Sequence, residues 1–91
     1  MKITSQKAGK LVDKGAKLVD VRSPVDFAKG TLPGAINIVL RNVSSLPSKF
    51  KKTDTLIFLG TVEDTKQFER YAEQLGYMNV HTLEMPEEWN K

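Results

Sequence analysis

Apolar positions along this chain fall alternately into short, nearly unbroken runs and into helical stripes. The runs are Leu18 to Val21, Ala35 to Val39, Leu56 to Leu59 and Val80 to Leu83. Leu56 to Leu59 contains no polar residue, the mark of a strand covered on both faces. The stripes recur at helical spacing. Ala8, Leu11 and Val12 predict a helix over about residues 5–14, capped by Thr4 or Ser5 and stopped by Gly15. Ser23-Pro24 opens a short helix carrying Val25, Phe27 and Ala28, and Gly30 ends it. Pro33-Gly34 reads as a turn. Val43, Leu46 and Phe50 mark a third helical segment, which Pro47 breaks or bends. The clearest helix holds Phe68, Tyr71, Ala72 and Leu75, with Thr65 as its predicted cap and Gly76 as its end. Ile3 suggests a short edge strand, and Pro86-Glu87-Glu88-Trp89 a closing helical turn. Strands alternate with helices, which predicts an α/β fold with a mainly parallel sheet and right-handed crossovers. The expected core is Leu11, Val12, Leu18, Val21, Phe27, Ala35, Ile36, Ile38, Leu46, Ile57, Phe68, Tyr71, Ala72, Leu75 and Val80.

Length and composition narrow the function. The 91 residues predict one domain over 1–91, 40% apolar and 27% charged. No apolar stretch is long enough to cross a bilayer. The start, without an apolar signal core, predicts a cytoplasmic protein with no membrane partner. With no cysteine, the chain forms no disulfide and no thiolate metal site. Residues 1–60 hold 11 basic and 4 acidic side chains, and residues 61–91 hold 3 and 7. Lys49, Lys51 and Lys52 read as the polar end of a helix and its loop, so no nucleic-acid partner is expected. Phosphate-loop and dinucleotide fingerprints are lacking, and Ser44-Ser45 has no nucleophile-elbow context.

One stretch carries a family pattern. Lys17 to Ile38 reads KLVDVRSPVDFAKGTLPGAINI. This resembles the rhodanese-like signature of an apolar strand, D-V-R, a short acidic-aromatic helix, G-H-I-P-G-A and I-N. Asp20, Val21, Arg22, Phe27, Gly30, Pro33, Gly34, Ala35 and Asn37 match it, and Thr31 replaces its histidine. The resemblance covers nearly the whole chain. Together with the strand-helix alternation, it implies a twisted, mainly parallel five-stranded sheet with helices on both faces. It also implies a nucleophilic cysteine seventeen residues before Gly76 of Gly76-Tyr77-Met78-Asn79-Val80, and that position is Leu59.

Where the family commonly has Cys-Arg-x-Gly-x-Arg-Ser, this chain has Leu59, Gly60, Thr61, Val62, Glu63, Asp64 and Thr65. Leucine cannot carry sulfane sulfur, and the loop arginines give way to Gly60 and Asp64. A reactive thiol needs positive surroundings, which Glu63 and Asp64 oppose. They serve better at the start of the helix, against its dipole. The expectation is therefore a catalytically inactive rhodanese-like domain with no catalytic residue, no cofactor and no metal. Its role would be binding, scaffolding or regulation, with another protein as partner. The alternative is a divergent relative that binds a sulfur compound, an anion or a metal at the Leu59–Thr65 loop, with or without chemistry of its own.

The other matched residues read as structural. Arg22 is expected to bridge to Asp26, and Asp20 to accept backbone hydrogen bonds. His81 is expected as a solvated strand residue and Trp89 as a lid on the core. Leu59 is expected to fill part of the old pocket, with Val62 or Met85 nearby.

Overall fold

The computed structural model describes residues 1–84. Met85, Pro86, Glu87, Glu88 and Trp89, with the closing turn and lid expected there, lie outside the described residues. In chain order the elements are α1 (Ser5–Asp13), β1 (Lys17–Asp20), α2 (Pro24–Lys29) and β2 (Ile36–Asn37). A 3-10 segment (Leu40–Ser45) then leads into α3 (Leu46–Lys49), β3 (Leu56–Gly60), α4 (Val62–Gln74) and β4 (Val80–Glu84). The four strands are parallel in the order β2-β1-β3-β4. β3 sits inside the sheet, and all five of its residues are buried.

Side chains alternate across β3 and separate two cores. Leu56 and Phe58 join Val19, Val21, Leu46, Phe68, Ala72 and Val80 on the α4 side. Phe58 and Phe68 pack with ring centroids 5.1 Å apart and planes tilted by 50°. Ile57 and Leu59 join Ala8, Leu18 and Leu83 on the α1 side. Helices thus cover both faces, as parallel sheets require.

Local chemistry accounts for the element ends. Thr4 caps α1 by accepting from the Lys7 amide, and Ser23 caps α2 by accepting from the Asp26 amide. Leu32-Pro33-Gly34-Ala35 closes on an Ala35 N–H to Leu32 carbonyl bond of 3.1 Å. Gly34 takes φ +85° there, the type II turn geometry that favours proline followed by glycine. Pro47 sits in the first turn of α3, where no amide donor is needed, and so starts a helix instead of interrupting one.

Three expectations change. The fifth strand near Ile3 shrinks to a single bridge between Lys2 and Thr82. The Ile3 N–H reaches the Thr82 carbonyl, but Thr4 already turns away to cap α1. The second strand, expected from Ala35 to Val39, pairs only at Ile36 and Asn37, because Ala35 closes the turn and Val39 caps the 3-10 segment. In the core list, Val12, Ile36 and Tyr71 are exposed by 37%, 38% and 46%. Ile36 is on an edge strand, and Val12 and Tyr71 lie on helix flanks that periodicity does not separate from the centre of the stripe. Leu11, Phe27, Ala35 and Leu75 are half-buried.

Tyr77, absent from that list, is almost fully buried, and its hydroxyl donates to the Phe50 carbonyl at 2.7 Å. Burial, helped by Asp54, raises its pKa. Lys52 lies over the Tyr77 ring, 4.8 Å from its centroid, and donates to the Leu75 carbonyl at the end of α4.

Candidate functional site

The position expected of a nucleophile lies at the end of β3, and nothing loop-like follows it. Leu59 is fully buried, paired in register with Asp20 on one side and Leu83 on the other. Its neighbours are the apolar residues of the α1-side core, with Leu32 and Ala35 packed against them. Val62, expected to lie beside it, is not part of this cluster, and Met85 lies outside the described residues.

Gly60 continues the strand at φ +159°. A Cβ there would come within 3.0 Å of Val21 Cγ2, so the close approach of β1 also calls for glycine. Thr61 follows as the helix cap, its hydroxyl accepting from the Asp64 amide at 3.1 Å. The cap expected at Thr65 therefore moves to Thr61. Thr65 lies inside the first turn, buried, with its hydroxyl donating to the Thr61 carbonyl at 2.8 Å. The expected loop from Leu59 to Thr65 is thus a strand end, one capping residue and a helical turn. The end of β3 at Gly60 makes Thr61 the first available cap, and the Thr-x-x-Asp sequence satisfies the first-turn amides there.

Glu63 and Asp64 occupy that first turn and are exposed. Among the described residues, no three His, Asp or Glu side chains gather as metal ligands. The hollow nearest the turn, lined by Lys2, Val62, Thr65, Lys66, Thr82 and Glu84, has about 40 Å³, room for little more than a water molecule.

Asp20 and Arg22 of D-V-R and Asn37 of β2 meet in one polar network beside this junction. Asp20 is fully buried and Arg22 nearly so. Arg22 Nη2 donates to Asp20 Oδ2 at 2.7 Å, and Nε donates to Oδ1 at 3.0 Å. The Arg22 amide also donates to Oδ1, at 3.0 Å. The ion pair seen for Arg22 is therefore with Asp20 and not the expected Asp26, whose charge acts only at longer range. The hydrogen bond to Asp20 raises the Arg22 pKa against the opposing effect of burial.

Arg22 Nη2 also donates to the Gly30 carbonyl at the end of α2. Thr31, in place of the family's histidine, donates its hydroxyl to Asp20 Oδ2 at 2.7 Å. Asn37 Nδ2 donates to the backbone carbonyls of Asp20 and Arg22 at 2.9 and 2.8 Å. Phe27 and the Pro33-Gly34 turn stand outside this network. Sequence reasoning missed the Thr31 link, although a hydroxyl four residues after Phe27 and next to Gly30 was the available signal.

His81 is half-buried, not solvated, and its buried Nδ1 has no hydrogen-bond partner among the described residues. Burial lowers its pKa, reinforced by the N-terminal ammonium and Lys7 and opposed by Glu69. It makes no catalytic pair with the junction.

A parallel sheet covered on both faces, with a D-V-R segment hydrogen-bonded to the end of α2 and to Asn37 of β2, defines a rhodanese-type α/β domain. A family model described as rhodanese-like domain matches residues 4–85, and the chain belongs to that family. Among solved structures, a human single-domain sulfurtransferase is 28% identical, with 90% of this chain and 87% of that chain covered at a TM-score of 0.79. A single-domain sulfurtransferase of Saccharomyces cerevisiae, 24% identical, covers 98% of this chain and 86% of its own at a TM-score of 0.78. That likeness is one of fold alone.

Two curated relatives are named tRNA 2-selenouridine synthase. The one from Bordetella bronchiseptica is 37% identical over 73 residues, 72% of this chain and 20% of that protein. The one from Cronobacter sakazakii is 56% identical over 32 residues, 35% of this chain and 8% of that protein. The chain thus spans a fifth or less of the length of these relatives. No described helix is long and apolar enough to cross a membrane.

Proposed function

We propose that this chain is a rhodanese-like domain without sulfurtransferase activity, acting by binding, as a scaffold or regulatory module for another protein. The carrying observation is Leu59. A fully buried leucine occupies the position of the family's nucleophile, and the chain has no cysteine to replace it. Covalent sulfur transfer needs a thiolate to accept sulfane sulfur, and a side chain packed in an apolar core offers none.

Two further observations support the reading. The segment that would cradle an anion is taken up by a capped helical turn. The charges added at that turn, Glu63 and Asp64, repel sulfur oxyanions. The polar network around Asp20 remains and holds β1, the end of α2 and β2 together, which keeps a rigid platform without chemistry.

The same observations weigh against a ligand at this junction. An anion would meet two carboxylates, and a metal would meet two adjacent ones without a third ligand. The test is sulfur transfer from thiosulfate, or from a persulfide, to cyanide by the purified chain. The expected rate is that of the blank. Reproducible turnover that disappears when Thr61 to Asp64 are substituted would overturn the proposal.

A further inference from the structure

The lysines read separately along the sequence gather at one end of the fold. Because all four strands are parallel, their starts share one end of the sheet. Lys14 ends α1, Lys17 opens β1, Lys49 ends α3, and Lys51 lies in the turn leading to β3. The Lys17 amide donates to the Thr55 carbonyl at 2.8 Å, which ties the first pair of segments to the second.

All four side chains are exposed, and none takes part in an ion pair among the described residues. The carboxylates at this end are Asp13, Asp54 and Glu73 in the last turn of α4, and Asp54 accepts from the Lys51 amide at 2.9 Å. Beside Lys17 is a hollow of about 290 Å³, walled by Val12, Ala16, Pro33, Ile36 and Phe50. Glu63, Asp64 and Glu84 lie at the opposite end of the strands.

We propose that the strand-start end of the sheet docks single-stranded RNA, with Lys14, Lys17, Lys49 and Lys51 meeting phosphates and a base seated in the hollow beside Phe50. Cations spread around an apolar, partly aromatic seat suit a chain that alternates phosphate with a flat base. An acidic protein segment would also meet the cations, and competition by polyglutamate separates it from RNA. The expectation against nucleic acid treated Lys49, Lys51 and Lys52 as one local cluster, whereas the fold adds Lys14, Lys17 and the hollow. This surface is remote from the Leu59 junction, so it stands or falls independently of the sulfur-transfer reading.

The test is fluorescence anisotropy with a labelled oligouridylate of about 12 nucleotides at about 50 mM salt. Binding is expected, with log K falling against log salt at a slope of about −3 for four neutralised phosphates. Reversing Lys14, Lys17, Lys49 and Lys51 to Glu should weaken it by more than about tenfold while the circular dichroism stays unchanged. Reversing the exposed Lys7 of α1 and Lys66 of α4, both near the opposite end of the strands, serves as the comparison and should have a much smaller effect. Phe50→Leu should weaken RNA binding yet leave heparin binding unaltered. No binding, equal loss from the Lys7 and Lys66 reversals, or competition by polyglutamate as strong as by RNA would each overturn the proposal.

Discussion

Leu59→Cys returns a sulfur atom to the position where the family keeps its nucleophile, and the surroundings decide what that atom can do. The substitution removes about two methylene equivalents from a fully buried side chain, a transfer loss of about 1.6 kcal/mol. A residual cavity between Leu18, Ile57 and Leu83 raises the total to about 2–3 kcal/mol. If the parent is stable by about 5 kcal/mol, as small domains commonly are, about 2–3 kcal/mol remains.

The new thiol then meets solvent only through opening, in about one molecule in 30 to 150. Its apolar setting, with the Asp20–Arg22 ion pair beside it and Glu63 and Asp64 at the start of α4, holds its pKa near or above about 8.5. Urea titration followed by circular dichroism measures the stability loss. Labelling with a pyridyl disulfide measures thiol access and, across pH, the thiol pKa. The rate should be slow in buffer and rise with urea in step with unfolding, and sulfur transfer should stay at blank level. Rapid labelling of the folded protein with a pKa well below about 7, together with uptake of sulfane sulfur, would refute the reasoning.

Phe68→Ala should cost about 3–5 kcal/mol in urea denaturation, because Phe68 is fully buried against Phe58; a shift under about 1 kcal/mol would place that face in solvent. Asn37→Ala leaves the Asp20 and Arg22 carbonyls without their side-chain donor and should cost about 1–3 kcal/mol, whereas Asn37→Asp, which removes the amide donor and adds charge beside those carbonyls, should cost more by the same measurement. His81 has a folded pKa below its ordinary 6.5, so the unfolded chain binds the proton more readily and acid disfavours folding. The stability that neutral His81 permits is fully present above about pH 6.5 and falls as the pH drops toward its lowered folded value. Between pH 7 and 5 the urea midpoint should therefore fall less in His81→Gln than in the parent, and an NMR titration placing His81 at or above its ordinary value would contradict this.

Much of the fold was legible because hydrophobic runs and capping residues act locally. Thr4, Ser23 and Gly30 stand at the helix ends that their chemistry predicts. The apolar run at Leu56 to Leu59 is the covered strand it resembles. What the sequence concealed depends on tertiary competition. Whether Thr61 or Thr65 caps α4 depends on where β3 stops, and β3 stops only after Gly60 has passed Val21. Both threonines can serve as caps in isolation. The Arg22 partner was a choice between two nearby carboxylates. The buried one prevailed because Thr31 and three Arg22 donors converge on it. At the candidate site, the missing thiol was readable letter by letter, but the replacement of a loop by a helical turn was not.

The bridge at Lys2 matters beyond the strand count. A sheet edge is a row of free amides and carbonyls that invites pairing between molecules. β2 limits its own edge by pairing over only two residues. β4 has no such brevity, and there the first residues of the chain stand guard. The Thr82 amide donates to the Met1 carbonyl, the Thr82 carbonyl accepts from Ile3, and the N-terminal ammonium is paired with Glu69. Self-assembly into fibrils or swapped dimers through β4 would first have to peel this segment away. Protection of the β4 edge thus falls to Met1, Lys2 and Ile3, of which Ile3 also packs against the α1-side core.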